Sequence, residues 1–346
     1  MSVTMRQVVL ASPGELRLED GPLPEPAAGE MRVRAEAVGI CGSDLHALAG
    51  EHPFIDLPVV PGHEAAGIVD AVGSGVETFA PGDAVLLEPN LVDHDCLYCR
   101  SGRYNLCEHL RVVGCQTSGA LADAFVAPAE RFHRVPDGMS MAAAALVEPL
   151  STATHAVRVA EGVAGRAVAV LGAGSIGLLT MLAARAGGAA AIAVTDPVAG
   201  KRALAAELGA DLAVDPTSRN AVGEIRDGLP RRPDVVFDCV STQSSIGQAI
   251  ELALKGGTVV VEGVPRGPVS IPLHLVQDRE VRLQGTAMYV RTDVEAAIGL
   301  IAAGQIPVDR LVTRSFPLAQ AAEAFRAATE GIQGRPAIKI QLQPQR

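Results

Sequence analysis

The sequence predicts a chain of two parts, an α/β doubly wound parallel-sheet domain and a barrel-like β domain. Three observations carry this. A Gly-x-Gly-x-x-Gly turn at 172–177 directly follows an apolar strand and opens a helical segment. Four unbroken apolar runs, Ala167–Leu171, Ala191–Thr195, Val235–Asp238 and Thr258–Val261, alternate with Ala/Leu-rich segments, as parallel strands buried on both faces require. Residues 1–150 instead hold many short Val-containing runs cut by Gly and Pro.

Bulk properties narrow the class of protein. A length of 346 residues makes two domains the default, and 48% hydrophobic with 20% charged residues is a globular composition. Aromatics make up 3% and Trp is absent, so the cores must be built from Ala, Val, Leu and Ile. A net charge of -10 argues against nucleic-acid or anionic-membrane partners, which need clustered Lys and Arg. The first residues, Met1-Ser2-Val3-Thr4-Met5-Arg6, lack a charged segment followed by an apolar one, so a cytoplasmic protein is expected. Residues 167–194 carry one charge, Arg185, and are long enough for a membrane span. Five glycines within them argue for strand, turn, helix and second strand instead.

In chain order, residues 31–38 alternate as a half-buried strand, and 66–72 and 84–87 are further strands. Gly73-Ser74-Gly75 and Pro81-Gly82-Asp83 supply the turns between them. In the α/β part, 176–186 and 200–208 are helical in period and composition. Beyond Gly285 one clear helix, 294–303, precedes short Pro-bounded segments.

The glycine turn has the pattern that binds a dinucleotide. Gly172 permits the tight turn, Gly174 lets the backbone approach a pyrophosphate, and Gly177 allows helix and strand to pack closely. The helix start at Ser175 and Ile176 offers unpaired N–H groups to the phosphates. Asp196 ends the second strand 22 residues after Gly174, near the spacing of an acid that binds a ribose diol. Its charge repels a 2′-phosphate and favours NAD over NADP, although Asp196-Pro197 also reads as a turn start. Lys201 and Arg202 stand close enough to contact a phosphate.

Two clusters read as metal sites. Cys41, His63 and Glu64 offer sulfur, nitrogen and oxygen, the donors of a Zn²⁺ site that keeps an open position. Cys96, Cys99 and Cys107 lie together in a chain too long to need disulfides, so metal binding is the better reading of them.

These residues also carry a family resemblance. Gly62-His63-Glu64-Ala65-Ala66-Gly67, with Gly73 and Val76, resembles the zinc-containing alcohol dehydrogenase signature. Ile40-Cys41-Gly42-Ser43-Asp44-Leu45-His46 resembles that family's first-ligand segment, and Ala145-Leu146-Val147-Glu148-Pro149-Leu150-Ser151 the later-ligand segment of its sorbitol/polyol, butanediol and threonine branch. The resemblance implies a medium-chain dehydrogenase fold. A GroES-like barrel catalytic domain would comprise 1–150 and 286–346, and a Rossmann NAD-binding domain 151–285. It implies Cys41 and His63 as zinc ligands, with Glu64 and Glu148 binding directly or through water. Laid on the family's four-cysteine lobe, the first ligand of a structural zinc falls on Asp93, followed by Cys96, Cys99 and Cys107, with His94 and Asp95 as rival fourth ligands. Ser43 is expected against the substrate oxygen, and His46 is expected to relay the proton to solvent.

The implied reaction is hydride transfer between a secondary alcohol and NAD. Leu283-Gln284-Gly285-Thr286-Ala287-Met288-Tyr289 and Leu311-Val312-Thr313-Arg314 look like the sorbitol and butanediol branches. Sorbitol enzymes carry Arg where this chain has Met288, and an aromatic where it has Ala47, which points to a small diol or secondary alcohol. A threonine-type amino alcohol or a sugar alcohol are the alternatives. A zinc-free quinone reductase, or a nucleotide-binding protein without catalysis, are the readings from other classes. The resemblance also implies a homodimer or homotetramer.

Overall fold

The computed structural model describes residues 4–346, which form two compact units. The first ends at Glu148 and resumes over Val290–Arg346, and the second is Pro149–Tyr289. The changeovers thus stand at 148/149 and 289/290, beside the 150/151 and 285/286 read from the sequence. One continuous helix, Met141–Val159, crosses the first of them.

The first unit begins with a hairpin, β1 (Thr4–Ser12) and β2 (Glu15–Pro22). Then come β3 (Glu30–Gly39), β4 (Glu64–Val72), β5 (Ala84–Leu87), β6 (Asn90–Leu91), β7 (Arg111–Val112), β8 (Ala124–Pro128) and β9 (Phe132–Arg134). The second unit holds β10 (Ala167–Leu171), β11 (Ala191–Thr195), β12 (Leu212–Val214), β13 (Val235–Asp238), β14 (Thr258–Val261) and β15 (Arg282–Gly285). The chain then returns to the first unit with β16 (Val312–Pro317) and β17 (Lys339–Gln343).

A seven-stranded sheet organises the first unit, in the order β16-β17-β3-β4-β5-β9 with β8 also on β3. Along β3 the alternation read from the sequence is real, with Met31, Val33 and Ala35 fully buried. Phe125, Phe132, Phe316 and Phe325 complete that core, so the few aromatics are concentrated inside. The C-terminal segments beyond the helix Arg291–Ala302 do more than short Pro-bounded pieces would. They supply two sheet strands and the helix Ala321–Glu330, whose Ala321, Ala324, Phe325 and Ala327 face the core.

The second unit is a wholly parallel sheet ordered β12-β11-β10-β13-β14-β15. That is the doubly wound order, with its switch point between β10 and β13. β10, β11 and β13 are buried at every residue, which explains their unbroken apolar sequences. Among the described residues no helix is long and apolar enough to cross a membrane.

Close backbone contact fixes the β3–β4 pairing. A Cβ at Gly67 would stand 2.1 Å from the carbonyl oxygen of Arg34. Gly67→Ala is therefore expected to destabilise the chain by roughly 2–3 kcal/mol, read as a lower urea midpoint at unchanged m-value.

Candidate metal and cofactor sites

Strand register assembles the first metal-ligand set. β3 and β4 run antiparallel with Gly39 opposite Glu64. Cys41 lies just past the end of β3 and His63 just before the start of β4, so one end of one ladder carries both. Ligand atoms of Cys41, His63 and Glu64 all lie within 4.8 Å of one another. Glu148 is buried but is not part of that group.

Cys41 is also the N-cap of the helix Gly42–Leu48, and the Asp44 carboxylate accepts the Cys41 N–H at 2.8 Å. This turn sets Ser43 and His46 on one short helix beside the cluster. The Ser43 hydroxyl oxygen is buried without a hydrogen-bond partner. An orphaned hydroxyl beside a three-ligand set is what a substrate-binding metal site would satisfy.

Three neighbours of the cluster escaped the sequence reading. Lys339, from β17, places its Nζ 2.6 and 2.8 Å from the two Glu64 carboxylate oxygens and 3.2 Å from the Ile40 carbonyl. Asp44 is fully buried, with one oxygen 3.9 Å from His63 Nδ1. Cys115 places its Sγ 3.9 Å from the same nitrogen. Long-range pairing delivers Lys339 and Cys115, whereas Asp44 carried a local signal as the capping acid three residues after Cys41.

The electrostatics of the cluster call for positive charge. Burial alone would lower the His63 pKa, yet the thiols of Cys41 and Cys115 outweigh it and raise it well above its ordinary value. Burial likewise opposes the Lys339 charge, and Glu64, Cys41 and Glu148 together raise its pKa. A divalent cation suits such a donor set.

The second set is local. Asp93, Cys96, Cys99 and Cys107 bring their ligand atoms within 4.8 Å of one another on a lobe closed by the β6–β7 pair. The Asp93 carboxylate is tied down by the N–H groups of Asp95 and Cys96 and by His109 Nδ1 at 2.7 Å. Those partners hold it well below the usual carboxylate range, the Cys96 amide first. The Cys99 thiol is pushed up to about 12, mainly by burial and then by the Asp93 contact. The rival ligands are engaged elsewhere, His94 with Glu130 at 2.9 Å and Asp95 with Arg100. Three thiols and a carboxylate form a closed tetrahedral donor set suited to zinc.

In the second unit the glycine turn has the predicted anatomy. Gly172 has φ +97°, and a Cβ at Gly177 would stand 1.8 Å from the Gly172 oxygen. Gly174 faces open space and starts the helix Ser175–Ala186 without a side-chain cap, leaving its first N–H groups to a ligand. The Ser175 hydroxyl beside Ile176 is a second buried orphan. Asp196 accepts the Ala173 N–H at 3.0 Å and the Val198 N–H at 2.8 Å, so it shapes both the glycine turn and the turn after β11. Arg202 is folded back onto the Asp196 carbonyl at 2.7 Å and the Asp215 carboxylate at 3.2 Å, while Lys201 is half-buried in the first turn of the next helix.

A doubly wound nucleotide-binding unit and a zinc-type cluster on a mostly antiparallel β unit define a class, the metal-assisted nicotinamide oxidoreductases. Comparison with known proteins agrees. The alcohol dehydrogenase GroES-like domain family matches residues 27–137, and the zinc-binding dehydrogenase family matches 175–303. Sorbitol dehydrogenase of Macaca fascicularis is 36% identical over 345 residues, covering 97% of this chain and 94% of the relative. The 2R,3R-butanediol dehydrogenase of Bacillus subtilis superposes with a TM-score of 0.90 at 30% identity, over 98% of this chain and 99% of that one. A zinc-binding dehydrogenase from Sinorhizobium meliloti 1021, bound to NADP, gives 0.90 at 34% identity over 99% and 100% of the two chains. The chain belongs to the zinc-containing medium-chain alcohol and polyol dehydrogenase family, and it is an enzyme of that type.

Two outcomes follow from buried charge. Lys339→Met leaves the Glu64 carboxylate buried without its counter-charge, and is expected to cost roughly 3–5 kcal/mol in urea denaturation of chelator-treated protein. In the second unit, burial raises the Glu262 carboxyl to about 8, against the hydrogen bonds it receives from Thr180 and Cys239. The folded chain then holds a proton that the unfolded chain releases near 4.5, so stability is lost as pH rises between those values. Thermal unfolding should therefore show Glu262→Gln gaining on the parent chain as pH goes from 5 to 8.

Proposed function

We propose that this chain oxidises a secondary alcohol, a small diol or an open-chain polyol, by passing its hydride to NAD. The Cys41–His63–Glu64 cluster beside the orphaned Ser43 hydroxyl is the observation that carries this reading. In it, Cys41 and His63 hold zinc with Glu64, and Glu148 is an alternative carboxylate. When bound, zinc supplies the Lewis acidity that lowers the pKa of the substrate hydroxyl.

The chain's own groups do the rest. Ser43 Oγ accepts the hydrogen bond of the reacting hydroxyl, and His46, in the last turn of the same helix, hands the proton to solvent. Lys339 Nζ, bonded to both Glu64 oxygens, holds that carboxylate in place. Asp93, Cys96, Cys99 and Cys107 hold a structural zinc, with His109 fixing Asp93.

Gly172, Gly174, Ser175, Ile176 and Gly177 bind the cofactor pyrophosphate. The buried Asp196 carboxylate disfavours a 2′-phosphate, and Arg202, the nearest guanidinium, is committed to Asp196 and Asp215. NAD is therefore the preferred cofactor, with Lys201 the remaining cation beside that turn. β15 is an open sheet edge, and Leu283 and the preceding Val269, Ile271 and Leu273 expose apolar surface. This suits a homodimer or homotetramer joined through that edge. Six unpaired cysteines suit a reducing, cytoplasmic setting.

Metal analysis and a substrate panel test the reading together. About two zinc ions per chain are expected, with NADH formed from 2,3-butanediol or sorbitol and less product with NADP. Cys41→Ser and His63→Ala should each lower kcat/KM at least a hundredfold, beyond the usual loss from removing an outer-shell partner of a metal ligand. A zinc-free chain that reduces quinones, or a Cys41→Ser variant with full alcohol oxidation, overturns it.

A further inference from the structure

The Glu262 carboxyl has no part in the reaction described above, yet it stands where three elements of the second unit meet. It follows Val261, the last residue of β14. Its oxygens accept the Thr180 hydroxyl at 2.9 and 3.3 Å and the Cys239 thiol at 3.4 Å. Thr180 belongs to the helix Ser175–Ala186, and Cys239 is the residue after β13. The group therefore lies at the carboxyl ends of the strands, beside the β10–β13 switch point where doubly wound sheets bind nucleotides.

Both partners of the carboxyl are built into the glycine turn. Thr180 shares a helix face with Gly177, three residues before it, and a Cβ at Gly177 would stand 1.8 Å from the Gly172 oxygen. Cys239 meets the same turn from the neighbouring strand. Its N–H donates to the Leu171 carbonyl at 3.0 Å, and a Cβ at Gly172 would stand 3.9 Å from the Cys239 Cβ. Thr180 is five residues past Ser175, about 7.5 Å along the helix axis.

Among the described residues no positive group acts on the carboxyl. Its influences are Thr180, Cys239 and Asp238. Asp238 is fully buried and accepts the Val240 and Ser241 N–H groups and the Ser245 hydroxyl at 2.9–3.1 Å. Cys239 stays a thiol, because burial and then Glu262 raise it well above its ordinary value. A carboxylate in that company lacks a counter-charge, so the neutral acid is the form the group accommodates. Glu262 itself is half-buried, which leaves it open to proton exchange with solvent.

We infer that Glu262 makes nucleotide binding depend on its proton. Protonated, it lets the start of the helix Ser175–Ala186 present its N–H groups to a pyrophosphate unopposed. Ionised, it sets a negative charge beneath that helix start and weakens binding. The inference rests on the pyrophosphate reading of residues 172–177 and adds a control to that site. Glu262 acts through the helix start and is a positioning residue.

The test measures the Kd of ADP-ribose on the zinc-loaded enzyme from pH 6 to 9.5. ADP-ribose carries the pyrophosphate without the nicotinamide, and its phosphates stay ionised throughout. Binding should be tightest below pH 7 and weaken roughly three- to tenfold through a midpoint of about 8, where the Glu262 carboxyl loses its proton. By reciprocity the ligand raises the proton affinity of the carboxyl, so binding at pH 8 should take protons from a weakly buffered solution. Glu262→Gln keeps an acceptor but cannot ionise. It should bind as tightly as the parent does at low pH and stay level to pH 9.5. Thr180→Val removes a donor that favours the carboxylate and should move the midpoint upward. A role in folding alone would shift Kd at every pH alike and leave the slope in place. A slope that survives in Glu262→Gln, or a parent enzyme without one, overturns the inference alone. An enzyme that binds neither ADP-ribose nor NADH at any pH overturns the pyrophosphate reading and this inference with it.

Discussion

The Lys339 ammonium meets both oxygens of Glu64 in a space closed to water, with side-chain exposures of 3% and 1%. Much of the first unit is arranged around that pair. Lys339 begins β17, which pairs with β3 through Gln341 and Gly39, and Glu64 begins β4, which pairs with β3 at the same Gly39. Gly39 has to lack a side chain, because a Cβ there would stand 1.9 Å from the Glu64 Oε2. Three strand ends therefore converge on one charge pair, and two of them are 275 residues apart in sequence. Desolvating two charges is unfavourable in itself, so such a pair is retained for what it positions more than for net stability. Here it fixes a carboxylate beside Cys41 and His63.

The two candidate metal sites reach four or three donors by opposite routes. The lobe gathers Asp93, Cys96, Cys99 and Cys107 from fifteen consecutive residues, and its geometry follows from local turns and two amide contacts to Asp93. The other cluster depends on sheet register and on a C-terminal strand. A closed local set suits a metal that only holds the fold together. A set assembled across the sheet, with an orphaned hydroxyl at its side, leaves a position for a reacting group.

This contrast explains what could be read from the sequence. The strands β10, β11, β13 and β14 were legible to the residue because each is a continuous apolar run between turns, and the glycine turn announces itself by spacing. The members of the donor clusters were legible because their types sit at short spacing or in a motif. Lys339 was not, since a lone lysine in a C-terminal segment gives no hint that β17 will carry it into the core. Cys115 was hidden because its approach to His63 spans 52 residues of sequence. The 19-residue helix Met141–Val159 was masked by Pro149, which removes one helical hydrogen bond and reads as a break. Tertiary burial of Ala143–Val147 and Leu150 overrides that local signal and keeps the helix continuous past Glu148.

Asp196 shows how closely recognition and structure are joined in the second unit. Its carboxylate serves the proposed ribose contact, and the same two oxygens already accept the N–H groups of Ala173 and Val198. Removing the charge to admit a 2′-phosphate would also release the amide that follows Gly172, in a turn that Gly172 holds at positive φ and that Gly177 packs against. Arg202 adds a second lock, since its guanidinium is spent on the Asp196 and Pro197 carbonyls and on Asp215. Cofactor preference at this turn is therefore a property of the whole β11 corner. On the proposed preference for NAD, admitting a phosphorylated ribose would mean rebuilding the amide contact to the glycine turn and freeing Arg202 together.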